Sequence, residues 1–147
     1  METYTHKVQY YETDRMGITH HTNYIRWMEE ARLDFMEKTG WSYQKMEEIG
    51  ILSPVLAVDC KYKNSTTFYD EVVIEVGIKA FKGVRLIMEY SMRKKGEDTL
   101  VLTGTTEHCF MDREYRPMRL EKKFPELYHT IMELLATQER KVPLLPE

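Results

Sequence analysis

The chain has 147 residues, with 21 Lys plus Arg against 24 Asp plus Glu, for a net charge of -3. A chain of this length buries roughly two-thirds of the surface exposed by its unfolded form, so residues 1–147 are expected to form one domain without a disulfide staple. The mildly acidic balance gives no support to a polyanion-binding role, and any phosphate site must be local.

Met1 to His6 has no basic stretch followed by an apolar one, and no segment approaches the length of a membrane span, so the default compartment is the cytoplasm. Val8, Tyr10 and Glu12 alternate with Lys7, Gln9 and Tyr11, which predicts a first strand ending just before Asp14. From Tyr24 the apolar residues Trp27, Met28, Ala31, Phe35 and Met36 follow the spacing of one helical face, and Gly40 is the expected stop. A shorter helical turn spans Tyr43 to Ile49. Val55 to Tyr62 reads as a strand, closed by the polar break Asn64-Ser65-Thr66-Thr67.

Period-two patterning then runs from Val72 to Phe81 and from Val84 to Arg93, with Lys82-Gly83 as the turn between them. Lys95-Gly96-Glu97-Asp98 closes a second hairpin into a strand from Thr99 to Met111. Pro125 suits the first turn of a final helix whose apolar positions are Leu127, Tyr128, Ile131, Leu134 and Leu135. Cys60 and Cys109 lie in separate strand-like runs without the short paired spacing of zinc or dithiol sites, and are expected to be free, buried thiols. The order predicts an α+β domain with a long helix laid on an antiparallel sheet. Unpaired sheet edges favour a homo-oligomer.

The densest chemistry lies between Tyr11 and Tyr24, where a strand pattern stops at Asp14, turns at Gly17 and enters a helix. A helix N-terminus offers N–H groups without intrahelical partners, which can polarise a carbonyl oxygen beside that carboxylate. Asp14 equally suits a turn or cap. His20 and His21, if both helical, diverge by about 100° and cannot form a zinc-protease pair. His6, His108 and His129 add no ligand spacing, so no metal is expected. The aromatic and Met positions of the first helix suit a core, or the floor of an acyl pocket. Basic residues gather at Lys61, Lys63, Lys82, Arg85 and Arg93 to Lys95, and again from Arg113 to Lys123, as solvated surface or discrete phosphate contacts.

Tyr11 through Arg32 resembles the hotdog-fold acyl-CoA thioesterases, in particular the 4-hydroxybenzoyl-CoA thioesterase-like group that includes the Tol-Pal-cluster thioesterase. The resemblance rests on Thr13-Asp14-x-x-Gly17, His21-x-x-Tyr24, Met28-Glu29-x-Ala31-Arg32 and, after the last strand, Arg116-Pro117-x-Arg119-Leu120. It implies a curved antiparallel sheet of about five strands wrapped around the long helix, and a homodimer or homotetramer with sites at the dimer interface. Asp14 matches the catalytic carboxylate, as general base or nucleophile. His21 matches a site histidine whose backbone N–H is expected to polarise the thioester carbonyl. Gly17 and Tyr24 are expected in the substrate site, and Lys82 and Arg85 are candidates for the coenzyme A phosphates.

This chain departs from the pattern at Glu12, where the first Asp is usual, at Thr19-His20, at Tyr69 within a common Tyr-Gly-Asp turn, and at Glu121. The expected activity is hydrolysis of an acyl-CoA to a free acid and coenzyme A, without a cofactor. An acyl carrier protein thioesterase and a non-catalytic acyl-CoA-binding or assembly module are the alternatives.

Overall fold

In the computed structural model, which describes residues 2–139, ten elements follow one another. Strand β1 (Glu2–Lys7) leads through a 3-10 turn at Tyr10–Glu12 to helix α1 (Thr22–Lys38) and the short α2 (Tyr43–Glu48). Strands β2 (Val55–Tyr62), β3 (Glu71–Phe81), β4 (Arg85–Lys94) and β5 (Leu100–Cys109) come next, then the single turn α3 (Leu120–Lys123) and helix α4 (Pro125–Glu139).

The strands form one curved antiparallel sheet in the order β1-β3-β4-β5-β2. β3, β4 and β5 are a meander, because two tight turns return the chain beside itself, while β1 and β2 are the edges. Helix α1 buries Tyr24, Trp27, Met28, Ala31, Phe35 and Met36 against the sheet. Each large apolar side chain so buried contributes about 1.5–3 kcal/mol. The opposing layer is Val72, Ile74, Val76 and Ile78 of β3 with Met88, Tyr90 and Met92 of β4. Helix α4 adds Leu127 and Ile131 to this core, and Tyr128 meets Phe81 at 5.8 Å between ring centroids.

Two sequence expectations need correction. The first strand lies at Glu2–Lys7, pairing with β3 from Glu2 opposite Val76 to Lys7 opposite Glu71, and Tyr10–Glu12 is a 3-10 turn. Val8 and Glu12 are both buried, but Tyr10, which the alternation puts on the same face, is 76% exposed, because a turn brings its two ends inward and leaves its middle in solvent. Of the cysteines, both free, Cys109 is buried but Cys60 only partly so, its Sγ 3.9 Å from Met28 Sδ.

A polar layer crosses the core. Arg32 is buried, its Nε donating to the Tyr43 hydroxyl at 2.9 Å and its Nη1 to that of Tyr90 at 3.1 Å. Tyr90 shares a 2.7 Å hydrogen bond with Thr106, which meets His108 Nε2 at 2.8 Å. Burial, together with the nearby Arg32 charge, brings the His108 imidazole down to about 4.

Candidate active site

The segment from Val8 to Tyr24 is tied to the body at several points. The Val8 N–H donates to the Asp70 carbonyl at 2.9 Å as β1 ends, and the 3-10 turn then delivers Glu12 into the interior. Its carboxylate accepts from the Gln9 N–H at 2.8 Å, from Trp27 Nε1 at 2.7 Å and from His6 Nε2 at 2.8 Å. Burial alone would raise the Glu12 pKa. The hydrogen bonds from His6, Gln9 and Trp27 outweigh it and hold the carboxyl below its usual range.

Beyond Glu12 the chain makes a small hairpin closed by a bridge between Thr13 and Thr19. The Asp14 N–H donates to the Ile18 carbonyl at 2.8 Å, and the Gly17 N–H donates to the Asp14 carbonyl at 3.0 Å. Asp14 Oδ1 accepts the Met16 N–H at 2.8 Å. Gly17 sits at φ +79, a left-handed conformation that glycine adopts without steric cost, so the motif glycine is required by the turn. The structural role weighed for Asp14, a turn-forming carboxylate, is therefore present. It engages Oδ1, while Oδ2 has no hydrogen bond among the described residues.

Thr19 docks the hairpin onto Thr66, N–H to carbonyl at 2.8 Å and hydroxyl to hydroxyl at 2.6 Å, and the Tyr24 hydroxyl reaches the same Thr66 at 3.1 Å. Helix α1 then begins at Thr22. His20 Nδ1 lies 2.8 Å from the Thr22 hydroxyl and accepts the Thr22 N–H at 3.3 Å, so His20 supplies a cap from outside the helix. The divergence expected for two helical histidines is corrected accordingly: His20 precedes the helix, and the two rings stack with centroids 4.5 Å apart. The His21 N–H has no hydrogen bond among the described residues, as is usual before the first helical turn.

His21 and Tyr24 line a half-open cavity of about 220 Å³ together with Ile18, Thr19, Tyr62 and Lys63. The ring of Tyr62 stands edge-on to His21 at 6.2 Å and tilted to Tyr24 at 5.7 Å. Asp14 does not itself line the cavity; its backbone N–H bonds the carbonyl of Ile18, which does. Of the four candidates, His21 and Tyr24 line the cavity, and Asp14 and Gly17 belong to the hairpin whose Ile18 and Thr19 form part of its wall.

Lys82 and Arg85 are not part of that cluster within one chain. Arg85 pairs in register with Cys109, and the neighbouring His108 faces Val55, the end of β2 opposite Tyr62. The length of β2, roughly 23 Å, separates them from the cavity. Arg85 Nη1 makes a 2.6 Å ion pair with Glu107. Sequence reasoning missed Thr66 and Tyr62, which lie in a polar break and at the end of a strand and whose contacts are long-range, whereas Lys63, one of the basic residues considered for phosphate contacts, does line the cavity. Glu12 was also missed as an anchor. Among the described residues, no three of the His, Cys, Asp and Glu side chains gather to hold a metal ion, and no helix is long and apolar enough to cross a membrane.

Residues 8–147 match the family model described as the thioesterase-like superfamily. YneP of Bacillus subtilis, whose name marks it as a candidate acyl-CoA thioesterase, is 33% identical over 128 residues, 86% of this chain and 91% of that protein. The acyl-CoA thioesterase YbgC of Haemophilus influenzae is 22% identical over 84% of this chain and 90% of its own length. The crystal structure of a DHNA-CoA thioesterase from Staphylococcus aureus superposes with a TM-score of 0.88 at 33% identity, covering 96% of this chain and 95% of that one.

Proposed function

Because this chain belongs to the thioesterase-like superfamily and is a hotdog-fold thioester hydrolase, we propose that it hydrolyses an acyl-CoA to the free acid and coenzyme A with Asp14 as the reacting carboxylate. The observation that carries this reading is the single hairpin joining a carboxylate with an unengaged oxygen to an unbonded helix N-terminal N–H beside an aromatic cavity.

The acyl group enters the cavity between His21, Tyr24 and Tyr62, so that the thioester carbonyl oxygen meets the His21 N–H and the positive end of α1. Negative charge grows on that oxygen as the carbonyl carbon is attacked, and one preorganised donor is worth on the order of 100-fold to 1000-fold in rate. Asp14 Oδ2 either takes a proton from an attacking water or attacks the carbonyl itself, after which water opens the resulting anhydride. In both routes the C–S bond breaks and coenzyme A leaves as the thiol. In the direct route water supplies the new acid oxygen, whereas in the anhydride route that oxygen comes from Asp14 and water attacking the Asp14 carbonyl carbon restores the carboxylate. A thioester is activated enough that the reaction needs no metal or organic cofactor.

Lys82 and Arg85 serve the coenzyme A phosphates of a partner's cavity. Pairing of two β2 edges about a twofold axis places the Val55 end of one strand beside the Tyr62 end of the other. The active unit is then a homodimer.

Thiol release from short, long and aromatic acyl-CoAs, measured for the native chain and Asp14→Asn in parallel, tests the reading. We expect kcat/KM to fall by at least about 100-fold in the folded variant. Equal turnover in both proteins removes Asp14 from the mechanism, and no turnover in either removes the hydrolase. Single-turnover hydrolysis in oxygen-18 water separates the two routes, since only the anhydride route leaves label in the Asp14 carboxylate.

A further inference from the structure

Glu12 is the most heavily bonded carboxylate of the described residues, and the chemistry above does not use it. We propose that Glu12 is the positioning residue of the site, fixing the Asp14 hairpin relative to the first turn of α1. This inference rests on the reading of Asp14 as the reacting carboxylate.

Two parts of Glu12 act in opposite directions along the chain. Its side chain, 4% exposed, fixes where the 3-10 turn sits, because Oε1 holds the Gln9 N–H and His6 of β1 while Oε2 holds the Trp27 indole on α1. Its carbonyl fixes the far side of the hairpin, accepting the His20 N–H at 2.8 Å and the Asn23 side-chain amide at 2.9 Å. Residues 13–19 therefore leave from Glu12 and return to it. The two proposed reacting groups, Asp14 and the His21 N–H, are the second residue after Glu12 and the first after its hydrogen-bond partner His20.

His6 is itself held on its other side, with Nδ1 3.0 Å from Glu30 Oε1 and its ring stacked on Trp27 at 4.4 Å. The Tyr4 hydroxyl donates to the same Glu30 oxygen at 2.8 Å. β1, the hairpin and α1 are thereby locked through one buried carboxylate. A glutamine is nearly the same shape but cannot satisfy this arrangement. Its single carbonyl serves either Oε1's two donors or the indole, and its NH2 then faces another N–H. A misplacement of about 1 Å at the reacting groups costs on the order of 100-fold in rate.

The test uses Glu12→Gln in the native and Asp14→Asn backgrounds. Its readouts are kcat and KM for thiol release, and hydrogen exchange over residues 13–19 by mass spectrometry. The expected result is a kcat lowered by roughly 100-fold with KM within about threefold, and faster exchange in the hairpin with β3 and β4 unchanged. In the Asp14→Asn background, Glu12→Gln leaves the residual turnover where it was, because its effect passes through Asp14. A native kcat in folded Glu12→Gln overturns the proposal, and so does an equal fold-loss in both backgrounds, the mark of a general folding role.

If Glu12→Gln does not fold, Asn23→Asp gives the same test, removing the amide donor to the Glu12 carbonyl while sparing the carboxylate's three donors. A lowered kcat with faster hairpin exchange upholds the proposal, and native values overturn it. If the native protein releases no thiol from any acyl-CoA, the hydrolase reading fails separately. Faster exchange in 13–19 still upholds the grip of Glu12 on the hairpin, and unchanged exchange overturns it.

Discussion

At the level of single residues, two buried titratable groups set how the protein meets acid. The folded state holds Glu12 below its usual range, so it contributes stability that is complete above the ordinary glutamate value and lost as pH falls through the lower folded value. His108 acts in the same direction from a higher pH. The unfolded chain takes up a proton near the ordinary histidine value of about 6.5, whereas the folded chain does so only at about 4. Stability is therefore expected to fall between those values by up to about 1.4 kcal/mol per pH unit, the slope of one proton. Urea midpoints from pH 7.5 to 4 check this, and His108→Gln should flatten that part of the profile relative to the native chain. Neither role was legible in the sequence, because both depend on partners brought in by the fold. The placing of Asp14 and Gly17 in a turn just before a helix start was legible, since that geometry is local, whereas the contact of the Tyr24 hydroxyl with Thr66 was not. Nor was Glu12, because alternation alone assigns it to a strand.

At the level of elements, the long repeating patterns were read well. α1 and the β3–β4–β5 meander each sustain one period over ten or more residues, and neighbouring turns specify the hairpins. The order β1-β3-β4-β5-β2 was not legible. Periodicity says which face of a strand is buried but not which strand lies beside it, and β2 reaches its place only by pairing with a segment forty or more residues away. Gly104 shows how tight that placement is. It pairs with Cys60, and a Cβ added there would lie 2.5 Å from the Asp59 carbonyl oxygen and 2.5 Å from Met28 Cε. The Met side chain can swing away, but the β2 backbone cannot without breaking its ladder to β5. Gly104→Ala is expected to cost about 1–3 kcal/mol, the usual range for overpacking, and to lower the melting temperature by roughly 4 °C per kcal/mol. Calorimetry beside the native chain checks it. An unchanged melting temperature would mean that β2 yields at Asp59 without losing its ladder to β5.

For the whole molecule, the decisive feature is the β2 edge. Val55, Leu56, Val58 and Tyr62 are between 40% and 49% exposed along an eight-residue strand whose outer backbone groups have no sheet partner among the described residues. Such an edge is a template for pairing, and in the proposed homodimer pairing with a second copy both closes it and adds the partner's Lys82–Arg85 turn to the basic Lys63 that already lines the cavity. On that proposal the dimer and the phosphate contacts stand or fall together. Val58→Asp places a charge in the middle of the strand and is expected to give a folded monomer by sedimentation. Its KM for acyl-CoA should rise, because Lys82 and Arg85 of the partner no longer reach the phosphates. Arg85→Ala in the intact dimer should raise the same KM by roughly tenfold or more, the worth of a charge-assisted hydrogen bond, while leaving the KM for an acyl-N-acetylcysteamine thioester unchanged because that substrate has no phosphate. Full activity of the Val58→Asp monomer toward acyl-CoA would show that the site is complete in one chain. In that case the basic turn takes no part in binding substrate, and the exposed edge needs another explanation.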